Sequence, residues 1–552
     1  MSGRGAPATD GEREDGTAGP RRGSGPAPVH RPERAPGRRS ALVGVVAGLV
    51  LVAVAELASL AFGSSSAPFV AVGGGFVDIV PPAVKDLVIG LFGTWDKLIL
   101  FASMFVVYAL ITAMIGQLAS SRPVPAAAAL GGLGLFAMAV VLTRAQNTPL
   151  DVLPTLLGTL VAVPTLLLLR RAVRGTTGAE PTASSEPTGA PDAAWLRRRS
   201  LVGVGLVGVL AVVVAAGARG VNAGRERARQ VARFVLPAPR EFAAPIPAGA
   251  QVDLEGMPPF VTPNDDFYRI DTALAVPNVD PGTWTLRIHG LVDEELELDF
   301  AALLEEPMTE THVTLTCVSN TVGGDLAGNA TWLGVPVRTL LERAGVQDGA
   351  DMVLSRSIDG FTASTPLEAL TDSRDSLLAV GMNGQPLPAE HGYPVRMVVP
   401  GLYGYVSATK WLTELKVTRF ADDTAYWTTR GWSERGPIKI ASRIDVPRSF
   451  AELSPDAEGA VTLGGTAWAQ QRGIAAIEVR IDDGDWREAD LGAEVSTDTW
   501  TQWSLRWEDA EPGDHSVSVR ATDGEGEVQT EERADPAPNG ASGWHTVQFT
   551  VV

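Results

Sequence analysis

Cys317 is the only cysteine among 552 residues, and it lies in the stretch TLTCVSNTVGG, Thr314–Gly324. A single cysteine excludes an intramolecular disulfide, a zinc finger and a cysteine-ligated iron–sulfur cluster. Two readings remain: a small apolar side chain in a strand, or a thiolate that does chemistry. The six histidines stand at 30, 289, 312, 391, 515 and 545, outside every long apolar run. That placement excludes a haem held between two histidines inside a membrane. Glu56 is the exception in otherwise nearly uncharged apolar runs. It reads either as an intramembrane functional group or as a neutral acid packed against a neighbouring helix.

The elements that must position these groups fall into two halves of opposite charge. Through Arg233 the net charge is +9, and the remainder carries −28. The acidic half would repel phosphates, so no nucleic acid is expected as a partner. Residues 1–40 are rich in Gly, Pro and Arg and read as a disordered cytoplasmic tail. Residues 41–217 read as a membrane domain of about five transmembrane helices, at 41–63, 98–119, 124–143, 152–169 and 201–217. The segment Ala67–Gly93, broken by Gly74, Gly75, Pro81 and Pro82, reads as external or interfacial, with a sixth span as the alternative. Arginines ending in Arg38 and Arg39, and the groups Arg170–Arg174 and Arg197–Arg199, mark the cytoplasmic side. Everything after Gly217 then lies outside. The run RRRSLVGVGLVGVLAVVVAAGARG, Arg197–Gly220, resembles a twin-arginine export signal, or else holds three arginines that anchor the last helix.

Residues 218–255 read as a linker. Across 256–435, TWTLRIHGLV and THVTLTCV alternate as strands, and PVRMVVPG reads as a buried strand. LDFAALLEE and VRTLLERAG read as amphipathic helices, the second closed by Gly345. From Gly436 to Val552, five alternating segments with Asp-Gly and Pro-Gly turns predict a β-sandwich of the immunoglobulin-like kind.

Four blocks in order carry a family resemblance. They are FVTPNDDFYRIDTALAVPNVDPGTWTLRIHG, then TLTCVSN with GNATWLGVPVRTLL, then MNGQPLPAEHGYPVRMVVPGLYGYVSATKWL, and last GTAWAQQRGIAAIEVRIDDGDWREADL with GWHTV. Residues 259–552 resemble the sulfite oxidase family of molybdenum enzymes. The resemblance implies a mixed α/β molybdopterin domain followed by an immunoglobulin-like dimerisation domain, hence a possible homodimer. It implies molybdenum-molybdopterin as cofactor, with Cys317 as the protein's sulfur ligand to the metal. Tyr268, Arg269, Ile270, Asp271 and Thr272 match its first pterin-contact segment. His391 and Arg396 match its His and Arg contacts, Ser407, Ala408, Thr409 and Lys410 its contact run before Trp411, and Asp359 is a further candidate.

The loop after the cysteine departs from the sulfite-oxidising pattern. Asn320 is retained, but the arginines expected beside it are replaced by Thr321 and Val322. An active-site tyrosine of those members falls near Trp432. Arg356 and Arg430 are candidate replacement cations, since guanidinium suits a flat or trigonal oxyanion, or they are ion pairs in an acidic domain. Asn320, Thr321, Tyr403 and Trp432 are candidate pocket walls. The expected function is two-electron oxygen-atom transfer on a small oxyanion or sulfur compound, at the outer face of the cytoplasmic membrane. Electrons are expected to pass to an external carrier, a cytochrome or a quinone-linked partner, because no C-x-x-C-H or iron–sulfur cysteine set is present. The alternatives are a sulfoxide or nitrate reductase of the same fold, and a catalytically inactive membrane-tethered binding protein.

Overall fold

The structure, a computed structural model, describes residues 37–81, 84, 95–175, 206–218, 220–221, 234–508 and 510–552. The tail before residue 37, the arginine triplet at 197–199 and the basic run at 225–233 lie outside the described residues.

Helices α1 (Arg38–Ser59), α2 (Pro68–Ile79), α3 (Asp96–Ser121), α4 (Pro123–Leu142) and α5 (Leu153–Gly175) form the first module. Four apolar helices, Arg38–Ser59, Leu98–Ser121, Pro123–Leu142 and Pro149–Val173, are long enough to cross a membrane. They coincide with the first four expected spans. The fifth is described only from Leu206, as the shorter apolar helix Leu206–Ala218. Helix α2 has 12 residues, about 18 Å of rise against a hydrocarbon core of about 30 Å, so it does not span.

The helices pack through close backbone approach at small residues. A Cβ on Gly44 of α1 would lie 2.0 Å from the Thr112 carbonyl oxygen of α3, and one on Gly116 2.2 Å from the Ser40 oxygen. The Tyr108 hydroxyl donates to the Gly48 carbonyl at 2.9 Å across the same seam. At one end of the bundle, Asn147 Nδ2 donates to the carbonyls of Ser65 and Val141, both at 3.1 Å. Arg144 pairs with Asp78 of α2 at 2.8 Å. These bonds tie segment 63–80 to segment 143–152.

The second module is mixed α/β. Its strands are β1 (Thr285–Gly290), β2 (Leu296–Asp299), β3 (Thr309–Thr316), β4 (Ala327–Pro336), β5 (Met352–Ser357), β6 (Thr362–Pro366), β7 (Leu377–Met382), β8 (Gln385–Pro386), β9 (Arg396–Val398) and β10 (Leu412–Thr418). One sheet runs β2-β1-β10-β5-β6, with β1 parallel to β10; the other runs β3-β4-β7-β8, with β9 on β7. Both expected helices form. Phe300–Glu305 starts at Asp299, whose carboxylate accepts from Ala302 N–H, and Val337–Ala344 stops at left-handed Gly345. Strand β3 ends at Thr316, one residue before the cysteine, and Cys317 N–H bonds the Leu326 carbonyl at 2.9 Å.

The C-terminal region is two sheets around one apolar core. The expected segments appear as β13 (Val461–Trp468), β14 (Ile474–Ile481), β17 (Thr501–Trp507), β18 (Gly513–Asp523) and β19 (His545–Val551). Four further strands, β11 (Ala441–Val446), β12 (Glu452–Leu453), β15 (Arg487–Glu488) and β16 (Asp490–Leu491), complete the orders β11-β13-β17-β16 and β12-β19-β18-β14-β15. Leu463 and Trp503 of one sheet face Val479, Val519 and Phe549 of the other.

This region grips β3. Side chains alternate along the strand, so Val313 and Leu315 enter one core while Thr314 points to the opposite face. Thr314 N–H donates to the Asp498 carbonyl at 2.9 Å, and its hydroxyl accepts from Trp500 N–H at 2.8 Å. Gln470 Nε2 donates to the Thr314 carbonyl at 3.1 Å. Beyond the cysteine, an Arg443 guanidinium nitrogen donates to the Gly324 carbonyl at 3.0 Å. The His545 ring lies where a Cβ on Gly323 would be, at 2.2 Å, and Gly323 has φ +76°.

Candidate active site

A cavity of about 120 Å³ opens where the strand ends of both sheets converge. Cys317 reaches it from the end of β3, Ser357 from the end of β5, Arg396 from the start of β9, and Lys410 from the turn before β10. Tyr268, Ile270, Asp271, Thr272, Asp359, His391, Ala408 and Trp432 also line it. Five blocks far apart in sequence are thus brought to one space.

The other expected residues are placed elsewhere. Arg269 stands outside the lining and donates to Asp271 at 2.8 Å. Ser407 is fully buried, with its hydroxyl on the carbonyls of Leu402 and Tyr403. Thr409 is buried and bonds Ser355 Oγ at 2.7 Å. Asn320 faces the opposite side of the cysteine loop, where its Oδ1 accepts from Leu326 N–H at 2.9 Å. With Thr321 and Tyr403 it lines a smaller cavity of about 30 Å³ against the C-terminal sheets. Arg356 points away from its neighbour Ser357 and pairs with Glu414 at 3.2 Å. Arg430 lies over the Tyr426 ring, 3.5 Å from its centroid, and donates to the Tyr426 carbonyl. Neither arginine is in the cavity lining.

Burial sets the electrostatics. Desolvation raises the Cys317 thiol, and hydrogen bonds from the backbone and hydroxyl of Ser319 act in the opposite direction. Burial pulls Arg396 down to about 10. Its guanidinium donates to the His391 carbonyl at 3.0 Å and sits 5.0 Å from the Trp332 ring. Among the described residues it has no carboxylate partner. Lys410 is pulled down to about 8 by burial, against the opposing effect of Asp271 at 3.2 Å. His391 is held down to about 4, first by burial and then by Arg396. Its Nε2 lies 2.9 Å from the Asn264 carbonyl, which can only accept, so Nε2 carries the proton and Nδ1 is left as an acceptor.

Several lining residues were not expected from the sequence. Phe361, Tyr405 and Trp427, with Trp432, form an aromatic end; the Tyr405–Trp432 and Trp427–Trp432 ring centroids are 6.0 and 6.3 Å apart. The stretch YWTTRGW held the signal for Trp427, because three aromatics within seven residues gather a large apolar area in one place.

Residues 273–427 match the family described as oxidoreductase molybdopterin binding domain. The chain is 35% identical over 157 residues to the uncharacterized oxidoreductase YuiH of Bacillus subtilis, covering 28% of this chain and 76% of that protein. It is 30% identical over 345 residues to mitochondrial sulfite oxidase of Mus musculus, covering 53% of this chain and 62% of that protein. The chain belongs to the sulfite oxidase family of molybdopterin-dependent oxidoreductases. Relative to the mitochondrial sulfite oxidases it spans only about half to three fifths of their length, 56% for Drosophila melanogaster and 53% for Homo sapiens. Among solved structures, the sulfane dehydrogenase SoxCD of Paracoccus pantotrophus is 24% identical, with a TM-score of 0.45, over 53% of this chain and 81% of that one.

The cavity residues fit the molybdopterin of the sulfite oxidase family on two counts. Arg269, Arg396 and Lys410 outnumber Asp271 and Asp359 in and beside it, and a buried cation without a counter-charge is costly unless a ligand supplies one. A phosphate-bearing ligand supplies that charge. Among the described residues no group of three His, Cys, Asp or Glu side chains is placed to hold a metal ion. A site offering one soft sulfur suits a metal whose remaining ligands arrive with the cofactor.

Proposed function

We propose that this chain is a membrane-anchored molybdopterin-dependent oxidoreductase. It performs two-electron oxygen-atom transfer on a small sulfur compound or oxyanion at the outer face of the cytoplasmic membrane. The observation that carries this reading is the convergence of Cys317, His391, Arg396, Lys410 and Asp271 on one cavity with an excess of buried cations. Cys317 supplies the protein's thiolate to the metal, and its sulfur donates charge that moderates the metal's potential. Arg396 and Lys410 hold the cofactor's negative charge, and His391 offers a neutral acceptor. When bound, the molybdenum cofactor supplies a two-electron couple and the centre between which and the substrate an oxygen atom moves. Trp427, Trp432 and Phe361 exclude water from the substrate end. The C-terminal sheets are read as an immunoglobulin-like domain that also serves as a dimer surface, and electrons pass to a separate carrier.

The aromatic end favours a second reading of the direction. Arg356 and Arg430 are engaged with Glu414 and Tyr426, so a neutral sulfur compound suits the aromatic walls better than free sulfite. Reduction of an organic sulfoxide is then the leading alternative to sulfite oxidation.

Metal and pterin analysis of the purified full chain tests the proposal. Stoichiometric molybdenum is expected in the wild type and loss of it in Cys317→Ser; metal-free wild type from a molybdenum-replete host would sink it. Turnover with an artificial carrier on sulfite, methionine sulfoxide and nitrate then separates the substrates.

A further inference from the structure

The membrane module meets the catalytic domain at the rim of the cavity. Gly360 lies between the lining residues Asp359 and Phe361, and a Cβ on it would be 3.3 Å from Ala145 Cβ. A Cβ on Gly73 of α2 would come 2.8 Å from Leu274 Cδ1, two residues beyond the lining residue Thr272. The Tyr426 ring stands 5.8 Å from that of Phe361, and its hydroxyl feels Asp78 of α2 as well as Asp359. This rim is the cavity's open side: Ile270 is 50% exposed, and Asp359 and Phe361 are only half-buried. Two separate segments of the membrane module thus reach two separate segments of the rim. Both come from the end of the bundle that arginine placement puts on the catalytic domain's side.

Those segments are fixed in place before they touch the rim. Arg144 bridges to Asp78, and Asn147 bridges to Ser65. The absence of a side chain at Gly74 lets Arg144 lie against α2, where a Cβ would be 3.1 Å from its guanidinium. Such cross-links favour a rigid plate over a mobile tether.

We infer that segments 63–80 and 143–152 form the second wall of the cavity mouth, so that ligands reach the site along the membrane–water boundary. The membrane module is then part of the site's access route as well as its anchor. The contact itself does not depend on the proposed reaction, and only the identity of what passes the mouth rests on that reading. A wall at the mouth acts on entry and exit, so perturbing it changes apparent affinity more than the chemical step.

Engineered disulfides in the full-length protein, kept in its membrane, test the contact. Ala145→Cys with Gly360→Cys brings two Cβ atoms to within a few tenths of an ångström of disulfide range. Because Gly360 has φ +91°, Gly73→Cys on helix α2 with Leu274→Cys provides a second pair. Mass spectrometry of linked peptides is expected to find the bond in at least one pair, with wild-type molybdenum content. Absence of both links overturns the inference. Arg144→Glu is expected to raise KM about fivefold with kcat within about twofold, and a fall in kcat alone would count against a role in access. Metal-free wild-type protein would sink the functional reading while leaving the disulfide result to stand by itself.

Discussion

Lys410 shows how one buried side chain couples the proposed cofactor site to the fold. Burial lowers its pKa to about 8, from the 10.5 usual for an exposed lysine and so for the unfolded chain. Between those values the unfolded chain holds more protons, so raising the pH favours the folded apoprotein. The positive charge that suits an anionic ligand disappears over the same window. Pterin retention, read by fluorescence of released pterin, is expected to fall as the pH passes 8, while apoprotein Tm rises; Lys410→Met removes both trends. His391 and His545 act in the acid range. Each is held near 4 by burial, from an ordinary 6.5. The unfolded chain again binds more protons between these values, so stability is lost as the pH falls from about 6.5 to 4. Melting curves across that range check this, and His391→Gln should flatten part of the slope. Sequence blocks led to Cys317, His391, Arg396 and Lys410 because each sits in a distinctive run. They did not lead to Phe361 or Trp427, since alternation shows which face a side chain takes without showing which loop borders a cavity. Ser357 and Arg356 make the point: adjacent on one strand, they face the cavity and Glu414 respectively.

At the scale of elements, β3 is the strand on which the site depends. It receives bonds from the C-terminal sheets at Thr314 and carries Cys317 just past its end. Thr314→Val leaves the Trp500 N–H without its buried acceptor, a loss of about 1–3 kcal/mol. Urea denaturation is expected to show that loss together with lower molybdenum occupancy. Gly323→Ala places a methyl into the His545 ring at a positive φ, so it should release the cysteine loop; wild-type cofactor content in that variant would count against the clamp. Both helices, strands β1 and β3 and the strands β13, β14, β17, β18 and β19 were legible in the sequence, because capping residues and period-two alternation are local signals, whereas β4, β5, β7 and β10 were not expected. The short strands β12, β15 and β16 were not, since two residues carry no periodicity and are defined by their partners. The grip on β3 was invisible for a related reason: it joins residues more than 150 positions apart.

For the whole molecule, a reporter fused after Val552 is expected to be active only outside the cytoplasm; cytoplasmic activity would refute the orientation. Four apolar helices were readable as composition, but the meeting of segments 63–80 and 143–152 with the cavity rim was not, because glycines such as Gly73 and Gly360 do not announce the neighbour that fills the space. One feature of the fold also bears on how the protein is made. His545 seats the loop that carries Cys317, 228 positions earlier in the chain, and Arg443 holds the same loop. The pocket therefore has its full support only once the C-terminal sheets that carry both residues have formed. Cofactor uptake is expected to follow the folding of those sheets. Nascent chains stalled short of His545 should accordingly fail to take up cofactor, however complete their catalytic strands.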